Sequence, residues 1–385
     1  MDKNSQICTG RKSIGKSLLY TIPMFLIMFM FLAGGKPDFS DPVRTLAFLI
    51  TFTGLNVLYF LMHFTGKTDR YRAIIFIIFA FSLSFTLIRN MVEIRSSMSF
   101  SQADLLECRI PFCHLVIPMM IIPAAFTKSI IFPGTILGGV ADIATMVVVW
   151  LGATLVLGRG FCSWGCFYGG WDDGFSRFRK KPVIRKISES WKWMPFAVLL
   201  MVALTAALTL IPTYCDWICP FKTVTEFEQV TNVESATKAG IFISLFGGLG
   251  VALPVLTGKR TQCSFLCPLG AVNTLSNKIT PFTIRIDKRS CNECFKCVDV
   301  CPLYALSKDD VRSGKVSVFC SKCGKCVDAC SKKALHYGIK GVPAGTLKGF
   351  SRNLFLFVSF LFIAVFSSGS IMFTVSSLLK LVLNP

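Results

Sequence analysis

The chain has 385 residues, a formal charge of +20 and an apolar fraction of 53%. This length would suggest two or three soluble domains, but the apolar fraction and a positive mean hydropathy favour a polytopic membrane protein. A high positive charge is also typical of nucleic-acid-binding proteins. Here, however, the Lys and Arg residues collect at the ends of apolar runs and are not interleaved with a recognisable nucleic-acid fold. We therefore expect contact with membrane lipid and no nucleic-acid partner.

The apolar runs predict a mainly α fold, a polytopic membrane helix bundle of about six or seven spans, because one crossing needs roughly 20 residues of helix. The first run follows basic residues, as a signal peptide would. No A-x-A-like cleavage site follows it, so we expect an uncleaved helix. The predicted spans are residues 18–32, 46–64, 73–87, 136–157, 195–211, 241–256 and 354–383.

A further apolar segment, residues 110–132, is predicted to be re-entrant or interfacial. Pro111, Pro118 and Pro123 interrupt it, and Pro133 follows it. Proline breaks a continuous helix, and irregular backbone at membrane depth must be buried in protein or line a cavity. The segment is therefore not expected to cross the membrane.

The charges of the short loops predict the orientation of the chain. The N-terminus, the loop at 159–192 and residues 259–352 are rich in Lys and Arg, which places them in the cytoplasm. Residues 213–238 carry only two lysines against four acidic residues, which places them outside. The predicted location is the bacterial inner membrane, with several passes and a cytoplasmic N-terminus.

Eight of the 17 cysteines form two runs of four with the spacing C-x2-C-x2-C-x3-C, and Pro302 follows the first run. This spacing is typical of bacterial two-cluster ferredoxins, in which the fourth cysteine of each run binds the other [4Fe-4S] cluster. We therefore predict a small α+β ferredoxin domain with two clusters. The first set is Cys291, Cys294, Cys297 and Cys330, and the second set is Cys320, Cys323, Cys326 and Cys301.

Two alternatives to these clusters are disfavoured. Zn²⁺ also binds thiolates at C-x2-C spacing, but two tandem runs of four fit two clusters better. Disulfides are not expected on a cytoplasmic face, where thiols stay reduced. Ser331 stands where a proline usually follows the last cysteine, which affects the local turn and not the ligands.

Three further pairs have the spacing C-x3-C and lie near predicted membrane boundaries. Two of these pairs follow spans on the predicted cytoplasmic side and would form a third cluster site. The remaining pair lies on the predicted outer face, as do Cys108, just before the proline-rich segment, and Cys113 within it. They would form a fourth cluster site or one or two disulfides. The third set is Cys162, Cys166, Cys263 and Cys267; the fourth set is Cys108, Cys113, Cys215 and Cys219; Cys8 is left as a thiol.

The predicted domains are a helix bundle with cysteine pairs at the helix ends (1–258), a cytoplasmic C-x3-C-P element with the ferredoxin domain (259–351) and a C-terminal transmembrane segment (352–385). In the region of the bundle, His63 and His114 are the candidate haem ligands. They are expected near opposite faces, which disfavours haem. A quinone is the other candidate relay, and no pattern fixes its pocket.

Two groups of residues beside the cysteine pairs have alternative interpretations. Asp172 and Asp173 could take up protons from a quinol, but a solvated cytoplasmic turn explains them better. Trp164, Trp171 and Trp217 are interpreted as interfacial anchors, the usual role of aromatic residues at membrane boundaries.

The sequences CSWGCFYGG and CSFLCPLGA at helix ends, followed by two four-cysteine runs, resemble the membrane polyferredoxins of the NapH, NosR and CcoG type. The resemblance covers roughly residues 151–338. It implies iron-sulfur clusters at Cys162, Cys166, Cys263 and Cys267, and a further matching C-x3-C-P at Cys215 and Cys219. Phe167 replaces the proline of the first pair. Several members of this group are associated with quinol oxidation and with electron delivery to partner redox proteins.

We therefore expect an electron-transfer subunit of a membrane oxidoreductase complex that works with other redox subunits. Its basic surface would suit an acidic ferredoxin or flavodoxin. The alternative is a maturation factor that uses its clusters to reduce a metal or thiol in another enzyme, as CcoG-like proteins suggest. A membrane sensor ranks last because no output domain is recognisable. Whether the chain is itself an enzyme is left open, since no pattern of a substrate-converting active site is present.

Overall fold

The computed structural model describes residues 13–33, 40–96, 134–136, 139–141, 143–179, 181–184, 187–210, 213–221, 232–343 and 348–383. In chain order the helices are α1 Ile14–Ala33, α2 Pro42–Thr65, α3 Thr68–Ser96, α4 Ile143–Leu157, α5 Phe161–Trp164, α6 Phe167–Ser176, α7 Met194–Thr209, α8 Val233–Leu245, α9 Leu253–Thr257, α10 Thr261–Phe265, α11 Pro268–Ser276, α12 Lys296–Val300, α13 Lys308–Ser313, α14 Lys325–Ala329 and α15 Lys348–Leu383. The strands are β1 Gly134–Ile136, β2 Gly139–Ala141, β3 Phe282–Ile286 and β4 Leu335–Ile339.

Within these described residues, four helices are long and apolar enough to cross a membrane, and a bent fifth raises the number to five. The four are Ile14–Ala33, Pro42–Thr65, Ser190–Thr209 and Val233–Thr257. The fifth is α15, which bends by 49° between Val365 and Ser367. The predicted number of six or seven spans is not confirmed. The predicted third and fourth spans fall in α3 and α4, which are not among these helices.

The predicted fourth span differs because its first residues do not continue the helix. β1 and β2 form an antiparallel hairpin that pairs Gly134 with Ala141 and Ile136 with Gly139. α4 then begins at Ile143 and is 15 residues long. A helix of this length falls short of the roughly 20 residues that a crossing needs.

Local sequence signals set the ends of α2. The carboxylate of Asp41 accepts a hydrogen bond from the backbone N–H of Val43 at 2.8 Å, and Pro42 occupies the first helical turn. Gly66 ends the helix in the left-handed conformation, with φ of 73°. An N-cap aspartate, an early proline and a C-terminal glycine are the expected punctuation of a helix.

The membrane-type helices form one packed group. α1, α2 and α15 contact one another, and α3 packs against α2 and α15. On its other side α3 packs against α6, where Gly170 leaves no room for a side chain. A Cβ at Gly170 would lie 2.5 Å from the carbonyl oxygen of Phe76 and 2.6 Å from the Cβ of Ala80. α6 and its cysteines are therefore held tightly against the bundle.

The ferredoxin-type domain is built on the antiparallel pair β3 and β4, which aligns Phe282 with Ile339 and Ile286 with Leu335. The short helices α12 and α14 pack against each other between these strands in the chain. Tyr337 of β4 stacks on Phe355 of α15 at 4.9 Å between ring centroids. The domain therefore stands on the helix bundle through aromatic contacts. The predicted domain boundaries stay predictions.

Candidate iron-sulfur sites

The two four-cysteine runs share one backbone conformation, repeated 29 positions later. Glu293 and Phe295 flank the second cysteine of the first run with positive φ values of 53° and 54°, and Lys322 and Gly324 do the same in the second run with 53° and 88°. A left-handed residue beside right-handed ones turns successive N–H groups toward one concavity, as in many anion and Fe–S sites. The backbone thus wraps the space in which a cluster would sit.

The second set lies around one cavity. Cys301, Cys320, Cys323 and Cys326 all line it, with apolar neighbours that include Ile284. The Sγ of Cys301 accepts a hydrogen bond from the N–H of Ala305 at 3.3 Å. Burial raises the pKa of Cys320 to about 12. A buried thiolate needs compensating positive charge, which the irons of a bound cluster supply.

The first set lies nearer the surface. Cys297 is buried, whereas Cys294 is exposed. Burial, then the nearby Cys291 and Cys330 thiols, raise the pKa of Cys297, so Cys330 of the second run stands close to the first run. The structure therefore brings the fourth cysteine of each run toward the other run's loop.

The third set is assembled from two similar turns. In each turn a short helix, α5 or α10, carries the first cysteine, and the second cysteine immediately precedes the next helix. The N–H of Cys166 donates to Phe161 O and that of Cys267 donates to Gln262 O, both at 3.2 Å. All four thiols are at most 6% exposed. Burial and then the neighbouring Cys162 raise the pKa of Cys267 to about 12.

Buried guanidinium groups surround the third set. Arg260 is 0% exposed and donates to Cys263 Sγ at 3.2 Å and to the Cys162 carbonyl at 2.6 Å. Arg159 is 2% exposed, and its Nε and Nη1 have no hydrogen-bond partner in the described part of the chain. Asn273 donates to Cys162 Sγ at 3.3 Å. Buried cations and donors without an anion are costly, so this environment fits an anionic thiolate cluster.

The glycine pair of CFYGG has a steric role at this site. A Cβ at Gly169 would overlap the Cys162 carbonyl and the guanidinium of Arg260. Only glycine allows α6 to approach these groups so closely.

Polar contacts join the second set to the third. The ammonium of Lys322, which stands between two cysteines of the second set, donates to Leu157 O at 2.8 Å and to Asn277 Oδ1 at 2.6 Å. Asn277 Oδ1 also accepts from the N–H of Arg159 at 3.0 Å. Trp164 Nε1 donates to Lys322 O at 3.3 Å. A short, buried connection therefore links the two sites.

The expectation of a solvated turn at Asp172 and Asp173 is wrong, because the two side chains are 1% and 0% exposed. Asp172 Oδ2 accepts from the N–H of Cys263 at 2.8 Å, and Asp173 bonds with Arg72 and Arg177 at 3.1 and 2.9 Å. Burial is partly offset by Arg260, and the pKa of Asp172 rises to about 7. The nearby arginines outweigh burial at Asp173 and lower its pKa.

Trp164 is likewise not an interfacial anchor, because it is fully buried between Lys322 O and the Phe355 ring. Trp171 is part-buried and donates to Ser84 Oγ of α3 at 2.8 Å. The cysteine motif indicated a helix end, but it did not indicate that a second domain would cover that end.

The predicted placement of Cys219 on the opposite face is also wrong. Its Sγ lies 3.2 Å from the hydroxyl of Tyr168, two residues after Cys166, and the N–H of Phe221 donates to the same hydroxyl at 2.6 Å. The distance between Cys219 and the third set is therefore far smaller than the thickness of a hydrocarbon core, about 30 Å. Residues 213–221 therefore turn back toward the third set.

The other members of the fourth set are not placed by the structure. Cys215 belongs to a π-helical turn, Tyr214–Ile218, and its side chain is outside the described part. Cys108, Cys113, His114 and Cys8 lie outside the described residues. The other candidate haem ligand, His63, is buried in α2 with its ring 4.7 Å from that of Tyr59.

Among the described side chains, no three His, Cys, Asp or Glu converge as one metal ion would require. A [4Fe-4S] cubane has a different requirement, because each thiolate binds its own iron. When bound, such clusters take up and release one electron at a time.

Comparisons with known proteins agree with this chemistry. A 4Fe-4S dicluster domain model matches residues 283–331. A 4Fe-4S binding domain model matches three times, at 142–185, 192–229 and 239–287, and each match contains one C-x3-C pair. The chain is thus an iron-sulfur protein of the electron-transfer class.

The chain is also similar in sequence to three curated proteins. The chain is 23% identical over 169 residues to the putative electron transport protein YccM of Escherichia coli. The aligned residues cover 41% of this chain and 45% of YccM. It is 26% identical over 173 residues to the methylamine utilization ferredoxin-type protein MauN of Methylobacillus flagellatus. The aligned residues cover 45% of this chain and 58% of MauN. It is 24% identical over 178 residues to the ferredoxin-type protein NapH of Haemophilus influenzae. The aligned residues cover 40% of this chain and 57% of NapH.

These matches and the repeated 4Fe-4S models support the assignment of the chain to the membrane polyferredoxins of the NapH type. The matched segment spans about half the length of these three relatives. No solved structure gives a significant match.

Proposed function

We propose that this chain relays electrons between a soluble redox partner and the membrane, as the electron-transfer subunit of a larger oxidoreductase complex. The observation that carries the proposal is the arrangement of three four-cysteine sets from the surface to the membrane side. The first set has an exposed cysteine, the second lines a cavity, and the third is fully buried beside α3. This decrease in exposure from the first set to the third supports an electron path with one entry for a soluble partner.

The chain's own residues support transfer between the second and third sets. Lys322, Asn277 and Arg159 form continuous contacts of 3.0 Å or less between the two sites. Fixed donors and cations do not need to rearrange when the charge of a nearby site changes by one electron. The contacts also hold the ferredoxin-type domain at a constant distance from the bundle.

The surface around the first set supports docking of an acidic partner, such as an acidic ferredoxin or flavodoxin. The exposed side chains there include Lys288, Arg289, Lys296, Lys308 and Arg312. Complementary charge speeds encounter and orients the partner, and salt screens this effect. In the orientation that we propose, this surface and the N-terminus face the cytoplasm of a bacterium and the helices cross the inner membrane.

The experiment that tests the relay is rapid-freeze EPR of membranes that contain the full chain, reduced by an acidic ferredoxin. The variant Cys294→Ser removes a ligand of the first set and leaves the third set unchanged. We expect reduction of the third site by the ferredoxin to slow at least about tenfold in this variant. Direct reduction by dithionite, a small reductant, should still occur.

Equal rates in both proteins would reject the first set as the entry point. Iron and acid-labile sulfide content of each sample is the control for assembly. Membrane samples reduced with a quinol test the membrane end of the same relay, because the buried third set is the site that a lipid-soluble donor would approach.

A further inference from the structure

Arg72 of α3 is a cation that lies wholly inside the protein, with an exposed fraction of 0%. Its Nη2 donates to Asp69 Oδ1 at 2.8 Å and to Asp173 Oδ2 at 3.1 Å. Arg177 bonds to the same two carboxylates. These four side chains, which we call the ionic quartet, contain two cations and two anions and carry no net charge.

On one side Arg72 reaches the third set. Its Nη1 donates to the carbonyl oxygen of Ser163 at 2.9 Å, and Ser163 directly follows Cys162. The Oγ of Ser163 accepts from Arg260 Nη1 at 2.7 Å. The guanidinium groups of Arg72 and Arg260 also lie over the same Phe76 ring, at 5.4 and 5.8 Å from its centroid. Arg72 is therefore one of the buried cations that surround the third set.

On another side the start of α3 contacts the second set. Asp328 of α14 accepts the backbone N–H of Thr68 at 3.2 Å, and a Cβ at Gly324, directly after Cys323, would lie 3.2 Å from the Cβ of Thr68. Arg72 follows Thr68 by four positions, so the two residues lie on one face of the helix. Burial raises the pKa of Cys323, and the nearby guanidinium of Arg72 opposes this rise. Arg72 is therefore a neighbour of the second set as well.

One donor of this guanidinium is left open. The Nε of Arg72 has no hydrogen-bond partner within the described residues, although the side chain is fully buried. Buried donors are normally satisfied, so this atom calls for an acceptor. The two carboxylates of the quartet are already shared with Arg177. Thiolate sulfur is the acceptor that the neighbouring sets offer when they hold a cluster.

We propose that Arg72 is a positioning residue shared by the second and third sites, and that its charge raises the reduction potentials of both. The proposal rests on the proposed function and names a residue that matches two sites of the relay. A bound cluster becomes more negative by one charge on reduction, and a nearby cation stabilises that form. Without Arg72 the quartet would keep one cation and two anions, and both sites would face a net negative charge. Solvent does not reach this group to screen it.

A redox titration followed by EPR, on the full chain in membranes, tests the proposal. At a fixed ambient potential we expect Arg72→Met to lower the ratio of reduced to oxidised cluster at least about tenfold at the second and third sites. For one electron this is a shift of ~59 mV. The first site should shift much less. The variants Cys294→Ser and Cys263→Ser assign the signals to their sites.

Two further variants separate the charge of Arg72 from its packing. Arg72→Lys keeps the charge and should restore most of both ratios. Arg352→Met is the matched control, because Arg352 also holds the start of α3, through Thr68 Oγ1 at 2.9 Å, and the end of α2, through Met62 O at 3.0 Å. Its loss should lower Tm and shift the second and third sites much less than Arg72→Met does.

A charge-balance test covers the case in which Arg72→Met fails to assemble its clusters. Asp69→Asn removes a negative charge from the quartet, so it should raise the reduced-to-oxidised ratio at the second and third sites. The double variant, Arg72→Met with Asp69→Asn, returns the quartet to zero net charge and should bring both ratios back toward those of the unmodified protein. A double variant that assembles and stays as shifted as Arg72→Met, or an unshifted Asp69→Asn, overturns the proposal.

Unchanged potentials in an assembled Arg72→Met protein, or a shift at only one of the two sites, overturn the proposal as well. Iron content and the rate of reduction by the acidic ferredoxin, measured on the same samples, separate this result from the proposed function. A protein with normal clusters and a normal rate but unshifted potentials rejects only the role of Arg72. Clusters that the ferredoxin does not reduce reject the relay, and their potentials still report on Arg72.

Discussion

In the first set Cys294 is exposed and Cys291 and Cys330 are half-buried, whereas no cysteine of the third set is more than 6% exposed. Each of the two sets offers four cysteine thiolates. They differ in how the charge of a bound cluster is compensated: water and backbone N–H groups are available to the first set, and buried guanidinium groups to the third. Cluster potentials depend on hydrogen bonds and exposure, so identical ligands can give sites with different roles.

A substitution therefore has different consequences in the two regions. Around the first set, solvent screens a single charge and weakens its influence. Around the third set, each buried cation acts at a low effective dielectric, and the side chains are closely packed. Four substitutions test this contrast.

Loss of one ligand in the third set has the largest expected effect. Cys263→Ser should remove up to about four of about twelve irons per chain, because one iron of the buried cluster then lacks its thiolate. The EPR signals of the two ferredoxin-type clusters should remain. Iron and sulfide analysis measures the loss, and Cys8→Ser is the control. An unchanged iron content in Cys263→Ser would mean that the third set holds no cluster.

Gly169→Ala comes next, because the added Cβ overlaps the Cys162 carbonyl and Arg260. Overpacking of this kind costs on the order of 1–3 kcal/mol. We expect a lower Tm and less iron at the third site. The matched control is Gly240→Ala in α8, where a Cβ meets no described atom within 4 Å. Equal Tm values for the two variants would contradict the tight packing at α6.

Arg260→Met should lower the reduction potential of the third site, because the oxidised and less negative cluster needs the cation less than the reduced one. Two charges about 6 Å apart interact by ~3 kcal/mol at an effective dielectric near 20. For one electron this corresponds to on the order of 100 mV, given ~59 mV per tenfold change. A redox titration followed by EPR measures the shift.

Two controls accompany this titration. Arg260→Lys keeps the charge and should restore most of the potential. Arg312→Met, next to Phe295 of the first run, removes a guanidinium that is 59% exposed and should shift the first site much less. A shift at Arg312→Met as large as that at Arg260→Met would refute the contrast between screened and unscreened surroundings.

Tyr168→Phe has the smallest expected effect. It removes the hydroxyl that accepts from Phe221 N and contacts Cys219 Sγ. One such hydrogen bond contributes about 1 kcal/mol, so Tm should fall by a few degrees while the iron content stays unchanged. Phe167→Leu, which keeps Tyr168, serves as the comparison. Loss of iron in Tyr168→Phe would instead tie Cys219 to a cluster.

Much of the chemistry was accessible from sequence spacing. The two four-cysteine runs and the C-x3-C pairs fall within segments that match 4Fe-4S models. Residues 14–33 and 42–65 were recognisable as apolar helices, because hydropathy over about 20 residues is a local property. The predicted span 136–157 was too long, since a hairpin that ends at Ala141 takes the place of its first turns and α4 begins only at Ile143.

The cysteine spacing predicted only the local groups of thiols, three in each run and two in each pair, because a short loop has a limited reach. Only the tertiary structure decided the surroundings. The burial of Asp172 and Asp173, the cover over Trp164 and the return of Cys219 to Tyr168 all depend on contacts between segments far apart in the chain. Charge counts along loops describe only single segments, and the burial of a charged side chain depends on what packs against it from elsewhere.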